Sequence, residues 1–401
     1  MRAFRAVGGT PYFASVGHGA YIWDVEGRRY IDYVQSYGAS ILGHAHDKVV
    51  DAVRRAAAEG TSFGAPTERE VLLAEEICAR VPGCDQVRLV SSGTEAAMAA
   101  VRLARGATGR DRVVVFSGGY HGHSDALLAG SGSGMATLGL PSSAGVPRSA
   151  VADTLVVPYN VVPELDDQVA CVIVEPVAAN MGLVPPQPGF LQALREACQR
   201  SGSLLVFDEV ITGFRLARGG ASSLFGVTPD LWCFGKVVGG GLPLAAFGGR
   251  LEIMGQLAPD GPVYQAGTLS GNPVATAAGL AVLSLLDDDA YRQLSAFAGR
   301  LAAGLAEAAR AADLEVQVPV AGPLVGLFFG PSPVRDYEEA RASVGLGLYP
   351  PLMHGLLGAG VAIAPGPYEV LFPSLAHTEV ELEQTVEAFG RVARTVAARE
   401  G

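Results

Sequence analysis

The sequence predicts an α/β fold in which a large domain with a mostly parallel sheet is followed by a smaller α+β domain. Between residues 86 and 249, short apolar runs alternate with longer amphipathic stretches, a pattern typical of parallel strands that helices cover on both faces. Beyond residue 285 the pattern changes to a long helix, three short strands and a final helix. At 401 residues the chain is also too long for one small core.

The first elements belong to an N-terminal segment, residues 1–49, which we expect to pack with the small domain. Residues 21–33, YIWDVEGRRYIDY, predict two short strands around the turn at Glu26-Gly27. A helix is predicted next, at about residues 46–59.

The large domain, residues 50–285, is predicted from strand-like runs, several of which lead directly into helical stretches. In chain order these are QVRLVSS with GTEAAMAAVRLARGA, RVVVF, ACVIVEP with GFLQALREACQRSG, SLLVFDEV, DLWCFGK and AAFGG. Within this domain the segment 130–148, GSGSGMATLGLPSSAGVPR, lacks apolar periodicity and predicts a long loop that acts as a lid.

The small domain, residues 286–401, begins with RQLSAFAGRLAAGLAEAARAA, which predicts a long helix. Three apolar runs predict short strands: VGLFF, GVAIA and EVLF. A final helix is predicted near residues 379–398.

Composition and charge exclude several kinds of partner. The net charge is −11 and no basic tract interrupts it, which argues against a nucleic-acid or anionic-membrane partner. No run of about eighteen apolar residues occurs, and the N-terminal MRAFRAVGGTPYF lacks the apolar stretch of a signal peptide. The five cysteines include no CxxC pair. We therefore expect a cytoplasmic enzyme whose partners are small molecules.

Lys236, in the stretch FGKVVGGGLP, is one of only two lysines in the chain, so its presence calls for a reason. A desolvated lysine amine loses its proton readily and can act as a nucleophile or form a Schiff base, whereas arginine stays charged. The alternative is a lysine without a chemical role, placed at a strand end beside a glycine-rich turn. From this stretch alone the two interpretations are equally good.

Two further motifs lie where predicted strands end. Asp208 follows SLLVF, at the edge of a parallel sheet where open α/β folds place their ligands. SSGTE begins a helix; Ser92 and Glu95 have capping-box spacing, and the free amides there offer a phosphate site. Taken alone, Asp208 also fits a helix cap or a salt bridge, and Ser92 an ordinary N-cap.

Together, the three motifs supply what pyridoxal 5′-phosphate requires. The cofactor needs an amine that forms an imine, a carboxylate that keeps its ring nitrogen protonated, and a phosphate cup. Lys236, Asp208 and the SSGTE turn match these needs in one chain. The combination therefore predicts a pyridoxal-phosphate site more strongly than any single motif does.

The loop GGYHGH, which follows RVVVF, offers an aromatic ring and two histidines. Tyr120 in this loop is suited to stacking on a planar cofactor. The alternative is a metal site, since His44 and His46, like His121 and His123, have His-x-His spacing. No carboxylate or thiolate at a fixed offset completes either pair, so we predict no metal.

In this order, the stretches SSGTEAAM, GGYHGHSD, FDEVITGFR, GKVVGGGLP and GTLSGNPVATAAG resemble the class III pyridoxal-phosphate-dependent aminotransferases of fold type I. Within that class the chain is most similar to the glutamate-1-semialdehyde 2,1-aminomutase family, through ILGHAH, TLGLPSSAGVP, EPVAANMGLV and YQAGTLSGNP. The resemblance runs from RAFRAVGGTPYF to LFPSLAHT, nearly the whole chain. It implies a homodimer.

The resemblance also implies a role for individual residues. Lys236 is implied as the Schiff-base lysine that also moves protons, and Asp208 as the partner of the pyridine nitrogen. The other implied contacts are Ser92, Gly93 and Thr94 with the cofactor phosphate, Thr268 reaching in from the second subunit, Tyr120 and Val210 on the two ring faces, Asn180 near the phenolic oxygen, Glu369 as an active-site glutamate, and Arg2 with the substrate carboxylate.

The activity that the resemblance implies is an amine shift within one molecule. It converts glutamate-1-semialdehyde to 5-aminolevulinate through 4,5-diaminovalerate, in tetrapyrrole (porphyrin) biosynthesis, with pyridoxal and pyridoxamine 5′-phosphate as the cofactor forms. The alternative is a class III aminotransferase acting on a β- or ω-amino acid with a separate amino acceptor. Two departures from the aminomutase pattern, SYGA at residues 36–39 and Pro365-Gly366, concern the shape of the substrate pocket.

Overall fold

The structure, a computed structural model, describes residues 4–130 and 143–398, so Arg2 and most of the predicted lid lie outside it. The strands of this described part are β1 Ala14–His18, β2 Tyr21–Asp24, β3 Arg29–Asp32, β4 Gln86–Val90, β5 Arg112–Phe116, β6 Thr154–Val157, β7 Val169–Val174, β8 Leu204–Glu209, β9 Leu231–Phe234, β10 Ala245–Gly249, β11 Val316–Gln317, β12 Val320–Ala321, β13 Leu324–Val325, β14 Phe328–Phe329 and β15 Val361–Ala362. The helices are α1 Phe4–Val7, α2 Asp47–Glu59, α3 Glu68–Arg80, α4 Gly93–Thr108, α5 Phe190–Ser201, α6 Gly220–Phe225, α7 Leu251–Met254, α8 Pro273–Leu283, α9 Asp288–Arg310, α10 Tyr337–Gly345, α11 Tyr349–Gly358 and α12 Glu379–Ala397.

A seven-stranded sheet forms the centre of the molecule, in the order β4-β10-β9-β8-β7-β5-β6. The pairs from β9 to β6 are all parallel, whereas β10 runs antiparallel to both β4 and β9. Every residue of β7 and of β9 is buried, as expected for central strands covered on both faces. The prediction of an α/β fold with a mostly parallel sheet is confirmed.

Five elements around this sheet have no counterpart among the predicted ones: β6 and the helices α3, α6, α7 and α8. The first is an edge strand whose Leu155 and Val156 are exposed, so it gives no continuous buried run. Helix α8 is apolar on nearly every side because it lies inside the protein, and a helix without a polar face has no helical periodicity to detect. Helix α3 begins with a capping box, in which Thr67 and Glu70 satisfy each other's backbone amides.

A second sheet joins the two ends of the described chain, in the order β1-β2-β3-β15. The predicted hairpin is present as the antiparallel pair β2-β3, and β15 pairs with β3 in parallel. Residues of α9, α11 and α12 form a separate hydrophobic core beside this sheet. The N-terminal strands therefore pack with C-terminal elements, while the domain limits at 49/50 and 285/286 stay a prediction.

The predicted strand EVLF is not a strand in the structure. Its backbone hydrogen bonds go to two different partners: Leu371 N donates to Val325 O at 2.8 Å and Phe372 N to Tyr33 O at 2.8 Å. A segment whose successive amides bond to two different segments cannot extend one ladder, so only an isolated bridge forms. Among the helices described, none combines the length and the apolar character needed to span a bilayer.

Candidate active site

A cavity of about 300 Å³ lies where β5, β7, β8 and β9 end and helix α4 begins. Open α/β sheets place ligands at this edge, and the volume suits a small cofactor. Eight of the predicted site residues line it: Ser92, Gly93, Thr94, Tyr120, Asn180, Asp208, Val210 and Lys236. The fold thus brings together residues that are up to 144 positions apart in the chain, from 92 to 236.

The start of α4 forms one end of this cavity. Ser92 is its N-cap and accepts a hydrogen bond from Glu95 N at 3.2 Å. The predicted capping box is only half present, because Glu95 Oε2 accepts from Ser91 N at 2.6 Å and not from Ser92 N. The first intrahelical bond is donated by Ala96 to Ser92 O, so the amides of Gly93 and Thr94 stay available for an anion.

Two close contacts fix the shape of this anion site. A β-carbon at Gly93 would lie 3.0 Å from both methyl carbons of Val210. A β-carbon at Gly122, whose φ is +85°, would lie 2.5 Å from Thr94 Cα and Oγ1. The glycines therefore let the Tyr120 loop and Val210 approach the first turn of α4, which a side chain at either position would prevent.

Lys236 follows β9 and begins a short 3-10 turn, Lys236–Gly239. Its φ of 49° is in the left-handed region, an uncommon conformation for a residue with a side chain, and often a feature of functional sites. Burial lowers the pKa of its amine, and the charges of Glu369, Asp208 and Glu175 oppose this effect without cancelling it. The amine thus loses its proton more easily than an exposed lysine, as a nucleophile requires.

Asp208 lies at the end of β8 and is 5% exposed. Its Oδ2 is 2.7 Å from His121 Nδ1, and its Oδ1 accepts from Val210 N at 3.1 Å. Burial by itself lowers the pKa of His121, but the hydrogen bond to Asp208 and the charges of Asp208 and Glu175 outweigh it and raise the pKa. The histidine is therefore the hydrogen-bond partner of Asp208.

Glu175 is a buried acid of this site that the sequence motifs did not single out as functional. It directly follows β7, so it lies at the same edge of the sheet as Asp208 near the end of β8, and it also lines the cavity. Burial raises the pKa of Glu175, an effect that the positive charge of His121 opposes and that the negative charge of Asp208 reinforces. An acid directly after the apolar run ACVIV is the signal that could have identified it.

Two predicted residues of the described part, Glu369 and Thr268, are not among those that line the cavity. Glu369 is partly buried and its charge acts on the Lys236 amine, which places it near the reactive group. Thr268 is exposed, in the turn that precedes α8. Arg2 lies outside the described residues.

The donor set fits pyridoxal phosphate on chemical grounds. A helix N-terminus with free amides suits a phosphate, a buried carboxylate with a histidine partner suits a protonated ring nitrogen, and an easily deprotonated lysine suits an aldehyde. These three groups face one cavity of suitable size. The aromatic ring of Tyr120 completes its lining.

The pattern of the family "Aminotransferase class-III" matches residues 4–392, almost the whole chain. This chain belongs to the class-III aminotransferase family. A curated member of it, glutamate-1-semialdehyde 2,1-aminomutase 2 of Bacillus licheniformis, is 52% identical over 399 residues, which cover 98% of this chain and 92% of that protein.

Solved structures share the fold over nearly the whole chain. An omega-transaminase from Sphaerobacter thermophilus superimposes with a TM-score of 0.91 at 34% identity, covering 98% of this chain and 92% of that one. A glutamate-1-semialdehyde-aminomutase from Pseudomonas aeruginosa PAO1, solved in complex with PMP, gives a TM-score of 0.86 at 29% identity, covering 96% and 88%. The structural neighbours thus include both aminomutases and transaminases.

Proposed function

We propose that this chain binds pyridoxal or pyridoxamine 5′-phosphate in the cavity and converts glutamate-1-semialdehyde to 5-aminolevulinate. The observation that carries the proposal is the pairing of Lys236 and Asp208 in one cavity, in a chain 52% identical over nearly its whole length to a glutamate-1-semialdehyde 2,1-aminomutase. Sequence identity of this extent favours the intramolecular amine shift over the transaminase activities that share the fold. The product places the enzyme in tetrapyrrole biosynthesis.

Different residues of the cavity would bind different parts of the cofactor. The amides of Gly93 and Thr94 and the Ser92 hydroxyl, at the start of α4, would hold the phosphate. Tyr120, Val210 and Asn180 line the same cavity; Tyr120 and Val210 would contact the ring of the cofactor, and Asn180 its phenolic oxygen. When bound, the cofactor takes up and returns an amino group and accepts the electron pair of a deprotonated carbon.

Lys236 and Asp208 act on protons. The Lys236 amine, whose pKa burial lowers, would hold the aldehyde form of the cofactor and, when a substrate amine has displaced it, would take a proton from one carbon of the bound substrate and give it to another. Asp208 would lie opposite the ring nitrogen, with His121 bonded to its Oδ2 at 2.7 Å. Glu369 opposes the loss of charge on Lys236 and in this way keeps the amine able to regain its proton.

Partner and location are part of the same proposal. Thr268 is exposed and outside the cavity of its own chain, which agrees with a homodimer in which Thr268 reaches the phosphate of the other subunit. The enzyme works in the cytoplasm. Arg2 binds the substrate carboxylate, and the segment 130–148 retains the diaminovalerate intermediate so that the cofactor is not left in its aldehyde form.

The deciding experiment measures 5-aminolevulinate formed from glutamate-1-semialdehyde by the purified protein in its pyridoxamine form, without an amino donor. We expect sustained product over many turnovers, since the amine leaves and returns within one molecule. Product that stops after one turnover until an amino acid is supplied would contradict the proposal. It would favour the second candidate, an aminotransferase for a β- or ω-amino acid, which the structural likeness to an omega-transaminase supports.

The role of Lys236 has a matched control in this chain, because Lys48 is its only other lysine. Lys236→Ala should abolish both 5-aminolevulinate formation and the visible absorbance that covalent attachment to an amine gives the cofactor. Lys48→Ala, on the exposed side of α2, should retain both. An unchanged spectrum in Lys236→Ala would overturn the cofactor assignment.

A further inference from the structure

Glu175 makes two hydrogen bonds that join separate segments of the cavity wall. Its Oε1 accepts from Tyr120 N at 2.9 Å, and its Oε2 accepts from Ala179 N at 2.9 Å. The first bond holds the loop after β5, and the second holds the segment that leads to Asn180. Because Tyr120 and Asn180 both line the cavity, one carboxylate sets the distance between two walls that the cofactor would contact.

The charge of Glu175 also acts on the partner of Asp208. His121 is 2% exposed and lies between two acids, bonded to Asp208 and subject to the charge of Glu175. Lys236 faces the same two acids. A buried cation is stable only when negative charge surrounds it; of the groups that face His121, Asp208 and Glu175 supply that charge.

Glu175 and His121 both lie beside Gly119. A β-carbon at Gly119 would lie 3.3 Å from His121 Nε2 and 3.7 Å from Glu175 Oε1. Both atoms therefore border the small space beside this glycine. His121 Nε2 is buried and has no hydrogen-bond partner within residues 4–130 and 143–398. The negative charge of Glu175 therefore acts on the side of the imidazole that makes no hydrogen bond there.

We propose that Glu175 is a positioning residue of the cofactor site, which holds the Tyr120 and Asn180 walls together and keeps His121 a hydrogen-bond donor to Asp208. It acts through these neighbours and does not itself take part in proton transfer. This inference rests on the cofactor assignment made above for the cavity. It predicts two separable effects of Glu175, one carried by its charge and one by its length.

The test compares Glu175→Gln, which removes the charge but keeps the length, with Glu175→Asp, which keeps the charge but shortens the side chain. Nuclear magnetic resonance of nitrogen-15-labelled histidine follows the titration of His121 in the full chain, with the signal assigned from His121→Gln. Titration of the cofactor-free protein with pyridoxal phosphate gives the dissociation constant. Glu209→Gln serves as the matched control, since Glu209 is a buried carboxylate one strand away that accepts from backbone amides.

Glu175→Gln should lower the pH at which His121 loses its proton, because the negative charge that raises the pKa of His121 is gone. It should also weaken pyridoxal-phosphate binding by roughly tenfold, the usual size of an effect on a group that orients a binding residue. Glu175→Asp should leave the His121 titration nearly unchanged but weaken binding, because the shorter side chain cannot reach both amides. Glu209→Gln should change neither quantity.

An unaltered His121 titration and an unaltered dissociation constant in Glu175→Gln would overturn the inference, as would equal effects in Glu209→Gln. If Glu175→Gln does not fold, Glu175→Asp decides, and unchanged cofactor binding in that variant rejects the positioning role. Failure of the cofactor assignment would look different. In that case the unmodified protein itself would not bind pyridoxal phosphate, whatever the titration of His121.

Discussion

Two carboxylates adjacent in the chain, Asp208 and Glu209, end the same strand and serve its opposite faces. Both are buried, at 5% and 0% exposure. Asp208 points into the cavity and pairs with His121, whereas Glu209 accepts hydrogen bonds from Ala221 N at 2.6 Å and Ser222 N at 2.9 Å. Because side chains alternate along a strand, one residue step separates a chemical site from a structural one. Burial alone therefore does not identify a catalytic acid.

The Glu209 side of the strand holds the loop that follows β8. The loop that Glu209 holds contains Arg215, which is 0% exposed and donates to Gly38 O at 2.7 Å and Pro373 O at 3.1 Å. Gly38 ends a turn whose residues 35–38 all have positive φ. The structural face of β8 thus fixes a strained turn and a C-terminal segment against the large sheet.

The first prediction concerns the cavity face. Asp208→Asn should lower the rate of 5-aminolevulinate formation by at least about 100-fold, the size expected when a charge that stabilises a reacting group is removed. The amide oxygen can still accept from His121, so the fold should persist. Stopped-flow or steady-state assays of the purified variant measure the loss, and a denaturant titration checks stability.

One result would contradict the assignment of Asp208 to the chemical face of β8. A variant Asp208→Asn with near-normal activity but a large loss of stability would make Asp208 a structural acid. It would then resemble its neighbour Glu209, and the cavity would need another group opposite the ring nitrogen.

The second prediction concerns the opposite face. Glu209→Gln should reduce the free energy of unfolding by about 2–3 kcal/mol, because a carboxyl group that accepts from buried backbone amides through both oxygens is replaced by an amide that has one acceptor atom. Since Glu209 is not among the described residues that line the cavity, the folded variant should keep most of its activity. Urea denaturation followed by circular dichroism gives the difference, and a loss of activity at unchanged stability would contradict it.

The sequence predicts a site residue when the signal lies next to it in the chain, and fails when the residue depends on a distant partner. Lys236, Asp208 and Ser92 each follow an apolar run, so the strand pattern alone places them at one sheet edge. Glu175 carried the same signal. His121 did not, because its role depends on Asp208, which is 87 residues away.

The left-handed turn at residues 35–38 illustrates what the sequence could not supply. The sequence QSYG does not by itself predict that Gln35, Ser36 and Tyr37, three successive residues with side chains, adopt positive φ. Contacts from elsewhere hold the conformation: Asp32 accepts from Gln35 N at 3.1 Å, and Arg215 binds Gly38 O. Two errors at the edges of the fold have a similar cause. Strand β6 was not predicted because it is only half-buried, and EVLF was wrongly predicted as a strand because its amides bond to two different segments.

The third prediction uses pH to sharpen the contrast. Burial raises the pKa of Glu209 to about 6 against its ordinary 4.5, although hydrogen bonds from Ala221, Ser222 and Thr212 oppose the rise. A carboxyl whose pKa is higher in the folded state binds its proton more tightly there, so its contribution to stability is full below pH 4.5 and is lost as the pH rises through about 6. The loss should amount to about 2 kcal/mol.

The measurement compares the pH dependence of unfolding in the unmodified protein and in Glu209→Gln, from about pH 4 to pH 7.5. The variant lacks the titrating group, so its stability should fall less over this range, even though it is less stable at every pH. Parallel curves for the two proteins would show that Glu209 has the same pKa folded and unfolded, and would contradict the burial argument.

The smallest expected effect tests the packing at the anion end of the cavity. Gly93→Ala should weaken pyridoxal-phosphate binding by about tenfold, because the added methyl would lie 3.0 Å from both methyl carbons of Val210 and displace it towards the ring site. Gly299→Ala, in the interior of α9 with no atom within 4 Å of the new carbon, is the control and should raise stability by up to about 1 kcal/mol. Equal cofactor affinity in both variants would contradict this prediction. It would mean that Val210 moves away from the new methyl group of Gly93→Ala without weakening cofactor binding.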